Sequence, residues 1–128
     1  MAEPTVGETH SFERTFTTDD VERFAALSGD KQDQHTEPDA DGRLLVHGLL
    51  TATLPTKIGG DLEVLATEMT FQFRRPVYTG EQITCLWTFD TVDEQDDRYT
   101  VTVDVECTNS EAEPVLTGDI EGLIWKAS

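Results

Sequence analysis

Asp30 and His35 stand five positions apart on Ser28-Gly29-Asp30-Lys31-Gln32-Asp33-Gln34-His35-Thr36-Glu37, a stretch without an apolar side chain. A carboxylate and an imidazole on one short loop can take a proton from one atom and return one to another, because each tunes the other's charge state and burial tunes both. Which would be acid and which base is not encoded in the spacing. The same pattern also fits an aspartate bonded to its own backbone and an exposed histidine, since two-residue motifs recur by accident. A second candidate is Val46-His47-Gly48-Leu49-Leu50. Glycine at position 48 leaves its backbone open to close approach, with no side chain to clash. His47 reads as a packing or helix-entry residue rather than a catalyst.

The elements that must hold these residues follow from periodicity. Thr9 to Phe16 reads as a strand. Thr17-Thr18-Asp19-Asp20 supplies cap candidates and first-turn carboxylates, and Val21, Phe24, Ala25 and, less cleanly, Leu27 form a helical stripe ending at Gly29. That helix delivers the chain to Asp30. Leu44 to Gly60, LLVHGLLTATLPTKIGG, is apolar around its circumference and predicts a buried helix that Pro55 kinks or shortens. From Glu68 the period becomes two: Met69, Phe71 and Phe73, then Ile83, Cys85, Trp87 and Phe89, then Tyr99 to Cys107, then Leu116 to Ile124, separated by turn signals. Gly118 and Gly122 on the last run are expected to let a helix approach the sheet. An apolar helix against a curved antiparallel sheet is the α+β arrangement that buries both, a hot-dog fold.

The chain has 128 residues, the size of a single domain, 1–128. No apolar run approaches the roughly eighteen residues that span a bilayer, and MAEPTVGETH lacks the regions of a signal peptide, so the expected location is cytoplasmic. Cys85 and Cys107 lack zinc or redox spacing and are expected as buried free thiols. The net charge of -17, spread along the chain with only three lysines, excludes nucleic acid and an anionic membrane surface as partners. Such a surface is like that of proteins from salt-loving organisms, where molar salt shortens the screening length to about 3 Å.

In this order the motifs resemble the MaoC-like dehydratases, the family that contains the (R)-specific enoyl-CoA hydratases. The resemblance runs through FTTDDVERFAALSGD, the Asp30 and His35 spacing, VHGLL and FRRPVYTGEQI, and covers most of the chain. It implies an obligate homodimer of hot dogs that binds acyl-CoA and hydrates a trans-2-enoyl thioester to the (R)-3-hydroxyacyl thioester, with no metal and no redox cofactor. By the same resemblance Asp30 and His35 hold the water and the Gly48 N–H meets the thioester carbonyl. Thr56 falls where relatives carry a serine supporting the catalytic group; a helix hydroxyl bonded back to its own backbone is the other reading of it. Gln32, whose amide replaces the family's asparagine one methylene further out, and His47 are assigned to substrate contact. Arg74 and Arg75 could meet CoA phosphates, but strand-end arginines are more often solvated or paired with carboxylates.

Between Asp30 and His35 relatives read close to Phe-Asn-Pro-Leu, whereas this chain has Lys31-Gln32-Asp33-Gln34. The loop lacks the proline and the apolar anchors that would fix His35. Two other readings therefore stand beside the hydratase. One is a hot-dog thioesterase, which wants a carboxylate on the long helix, although Leu49 to Thr56 offers neither acid nor amide. The other is a non-catalytic acyl-CoA-binding subunit.

Overall fold

Period-two alternation broken by turn signals dictates an antiparallel meander, and the computed structural model, which describes residues 3–127, folds that way. Its elements are β1 (Thr9–Thr15), α1 (Thr18–Ser28), α2 (Asp33–Thr36), α3 (Gly48–Thr51), α4 (Thr53–Asp61), β2 (Leu65–Phe73), β3 (Gln82–Glu94), β4 (Arg98–Thr108) and β5 (Pro114–Trp125). The five strands form one antiparallel sheet in the order β1-β3-β4-β5-β2. This is the hot-dog architecture: helices packed on one face of a single sheet.

The inward residues of the central strands line up across the register. Trp87 of β3 faces Val105 of β4, Phe89 faces Val103, and Val103 in turn faces Ile120 of β5. All are buried. Leu54 and Ile58 of α4 close over them, and Gly59 brings the helix so near Trp87 that a Cβ there would lie 3.2 Å from the indole. Each large side chain buried here contributes about 1.5–3 kcal/mol. Cys85 and Cys107 are register partners, buried and free. A hydrogen bond with Cys85, together with burial, pushes the Cys107 thiol well above its ordinary pKa, so it stays protonated.

Four expectations need correction. The long central helix is two shorter ones, and Leu44 to His47 is not helical. There Leu45 bridges to Tyr78 and the Val46 N–H donates to Val77 O. The break falls at Ala52, whose ψ is -9°, one turn before Pro55. Proline has no N–H for the Thr51 carbonyl and its ring crowds that carbonyl, so the helix restarts instead of running through.

The apolar face of β2 is not buried either: β2 is an edge strand, and Met69 and Phe73 remain 44% and 55% exposed. Gly118 and Gly122 are approached by β2 and its flank, not by a helix. A Cβ on Gly118 would lie 2.1 Å from Thr70 O and one on Gly122 2.6 Å from Leu65 O. Leu27 points to solvent, because six residues from Val21 it has rotated about 120° off the buried stripe. Among the described residues no helix is long and apolar enough to cross a membrane.

Candidate active site

The loop that carries Asp30 begins where α1 is made to stop. Thr17 and Asp20 form a reciprocal capping box at its start, and Gly29, at φ 81°, ends it in the left-handed region that glycine enters without strain. The chain then turns on Asp30. Its Oδ1 accepts from the Gln32 side-chain amide at 2.9 Å and, more weakly, from the Gln32 N–H at 3.4 Å. These bonds, the side-chain amide first, hold the Asp30 carboxyl below its ordinary pKa, with smaller help from His35 and His47 and against some opposition from desolvation. Gln32 therefore supports the carboxylate directly.

One turn of helix, α2, then carries His35 inward. The Leu45 N–H donates to Gln34 O, tying the loop to the extended segment before α3. His35 is buried, and its Nδ1 lies 2.6 Å from Leu45 O. A carbonyl can only accept, so Nδ1 carries a proton, and it is Nε2 that faces the cavity, a bare acceptor whenever the ring is neutral. That Nε2 lies 3.7 Å from Asp30 Oδ2. The separation is too long for a direct hydrogen bond and short enough for one water to bridge.

His47 joins both. Its Nε2 donates to the Asp30 backbone carbonyl at 2.9 Å, and its ring stacks on His35 with Phe24 tilted against it at 4.9 Å. Its Nδ1 is buried without a partner. Asp30, His35 and His47 can bring one donor atom each within 4.8 Å of one another. The stack makes a poor metal cage nonetheless: with the two ring planes 16° from parallel, their in-plane lone pairs run side by side instead of converging.

These three residues and Gly48 line one cavity of about 700 Å³. The Gly48 N–H donates to no backbone group among the described residues. Because α3 is a single turn, it offers free N–H groups rather than a sizeable macrodipole. Phe73 closes in from β2, and a Cβ on Gly48 would sit 2.8 Å from its ring. Thr56 is placed elsewhere: it is not in the cavity wall, and its hydroxyl donates back to Ala52 O at 2.9 Å. The threonine in the wall is Thr51, buried and one turn beyond Gly48. Its place at i+3 from the glycine was a usable signal. Arg74 and Arg75 also line the cavity.

Residues 5–118 match the sequence profile of the family described as FAS1-like, dehydratase domain region. No curated protein matches the chain. Among solved structures, the chain is similar to the (R)-hydratase from A. caviae involved in PHA biosynthesis, with a TM-score of 0.83 at 23% identity over 98% of this chain and 100% of that one. It is also similar to R-hydratase PhaJ1 from Pseudomonas aeruginosa (TM-score 0.84, 20% identity, 98% and 84% covered). The MaoC-like dehydratase from Rhodospirillum rubrum matches with a TM-score of 0.80 at 16% identity, covering 98% and 95%. At these identities the likeness is one of fold.

Proposed function

The chain belongs to the FAS1-like dehydratase family, and from that premise we propose that it is a hydro-lyase that adds water to the C2=C3 bond of a trans-2-enoyl-CoA, giving the (R)-3-hydroxyacyl-CoA. The observation that carries this reading is the 3.7 Å separation of His35 Nε2 and Asp30 Oδ2, close enough for one water beside the pair to hydrogen-bond to both when the imidazole is neutral. A water held by the pair donates one hydrogen bond to each, which turns an oxygen lone pair toward the cavity. That oxygen bonds to C3 as one of the two groups takes its proton. The C2=C3 electron pair moves toward the thioester, and charge collects on the carbonyl oxygen, where the Gly48 N–H can donate. The enolate collapses as C2 receives a proton from within the same pair. One proton leaves the water and one arrives at C2, so no redox cofactor is called for.

Two copies form the working unit in this reading. The support is β2, an edge strand with free backbone groups and an uncovered apolar row that includes Met69 and Phe73. The test is hydration of crotonyl-CoA in high salt, followed by loss of enoyl absorbance, with free thiol measured in parallel. Absorbance loss without thiol is the expected result. Thiol release would indicate a thioesterase, and neither signal a binding subunit.

A further inference from the structure

Most of this chain's few cations are neutralised where they stand. Arg23, Arg43, Arg75, Arg98, Lys57 and Lys126 each face a carboxylate. Arg74 has no such partner among the described residues, although the chain carries 26 acidic residues against nine basic ones. It stands in the wall of the cavity that holds Asp30 and His35. Its placement is also fixed. The Nε donates to Thr117 Oγ1 at 3.0 Å, and that hydroxyl donates on to Gln72 Oε1 at 3.2 Å across the β2–β5 register. The two terminal nitrogens make no hydrogen bond in the described structure, which leaves a held, open fork of the kind that takes a phosphate in bidentate fashion. Arg75, beside it, gives its Nε to Glu113 and one terminal nitrogen to Pro114 O, so it adds charge more than a free fork.

From this we infer a phosphate subsite at Arg74, with Arg75 as its supporting charge, that binds the phosphate end of the pantetheine arm on the substrate thioester. The inference rests on the hydratase reading for the identity of the thioester and on the arginine geometry for the anion. Its physical need is plain: a substrate bearing several negative charges must enter a protein of net charge -17. Local positive charge with preformed geometry is what admits it.

The experiment compares wild type with Arg74→Gln and Thr117→Val on crotonyl-CoA, crotonyl-phosphopantetheine and crotonyl-pantetheine at one fixed salt concentration, with melting temperatures recorded for each variant. For Arg74→Gln, KM should rise on the order of tenfold to a hundredfold on the two phosphorylated thioesters, the range of one charged hydrogen-bonded contact, and stay unchanged on crotonyl-pantetheine. Thr117→Val should give the same pattern more weakly, because it frees the fork without removing it. An effect confined to crotonyl-CoA would put the bound phosphate at the nucleotide end and overturn the assignment to the pantetheine arm. An equal effect on all three thioesters, or none on any, overturns it. If wild type hydrates none of them, the hydratase reading fails by itself. Calorimetric binding of CoA to wild type and Arg74→Gln then decides the subsite, with equal affinities overturning it.

Discussion

The imidazole of His47 lies flat on that of His35, with ring centroids 3.7 Å apart and planes 16° from parallel. The same ring donates to the Asp30 backbone carbonyl. One buried side chain thus touches both members of the candidate proton-transfer pair, which sit on a loop with no apolar anchor of its own. The two contacts can be separated. His47→Phe keeps a ring against His35 and removes the donor; His47→Gln keeps an amide donor near the Nε2 position and removes the ring. Each should lower kcat by about tenfold with KM little changed, since each loosens the geometry of one partner only. A variant that melts earlier but turns over at the wild-type rate would reduce His47 to packing.

Asp30→Asn and His35→Ala should each lower hydration by on the order of 10²-fold or more while the core stays intact. The pH dependence has a definite sign. The Asp30 carboxyl is held below its ordinary value, mainly by the Gln32 amide. Its contribution to stability is therefore present above the unfolded value of about 3.9 and is lost as pH falls through the lower folded value. Gln32→Ala should raise the Asp30 pKa, read by NMR titration of the carboxyl carbon, and move any acid limb of the rate profile upward with it. An unmoved titration would show that the Gln32 bond does not set the charge.

The resemblance to the MaoC-like dehydratases implies a proline in the loop between the two residues, and the backbone here accepts one. Gln32 has φ -59° and ψ 151°, the extended conformation preferred before proline, and Asp33 is the first residue of α2, where proline's missing N–H costs no helical bond. Asp33→Pro should stabilise the protein by about 0.4–1 kcal/mol through the unfolded chain, with activity kept or raised. A fall in the denaturation midpoint would mean that the loop needs a conformation proline forbids.

Two glycines give opposite expectations for the same substitution. Gly118→Ala sets a methyl 2.1 Å from a strand carbonyl that cannot retreat without breaking the sheet, so it should destabilise by about 3 kcal/mol or more. Gly48→Ala meets only the Phe73 ring at 2.8 Å, and that ring is half exposed and free to swing. It should melt near wild type and lose activity by roughly tenfold, because the methyl stands beside the N–H that meets the carbonyl. Thermal melts and crotonyl-CoA assays on both variants check the pair.

What was legible in the sequence is what rests on period and local chemistry. The alternation in β3, β4 and β5 gave the sheet, Thr17 and Gly29 bounded α1, and the spacing of Asp30 and His35 matched a real proximity. Hidden from it was whatever depends on a third partner. Composition does not distinguish an apolar face covered by a helix from one left at a sheet edge, so the alternation of Met69, Phe71 and Phe73 does not reveal that Met69 and Phe73 stay exposed. Thr51, one turn from Gly48, carries a positional signal, yet the resemblance points to Thr56 in its place; Thr56 lies beyond the break at Ala52 and bonds back to that residue's carbonyl. The carbonyls that hold His35 and His47, those of Leu45 and Asp30, are backbone groups and carry no residue signature.

The last prediction concerns salt and starts from the net charge of -17 on a chain whose β2 edge is proposed to meet its own copy. At 0.01 M ionic strength the screening length is about 30 Å, so carboxylates repel across the whole domain and across any interface between two such bodies. At 1 M it is about 3 Å and only adjacent charges interact. Most of the basic groups are engaged in exposed pairs worth little each, so they do not offset the excess. Melting temperature and the dimer fraction should both rise with KCl, and activity should rise with them, since CoA is itself anionic and is repelled by the same field. Sedimentation, melting and hydration measured on the same samples across a salt series check this. A dimer equally stable and active at 0.01 M and at molar salt would rule out adaptation to salt, and the acidic surface would then call for a cationic partner.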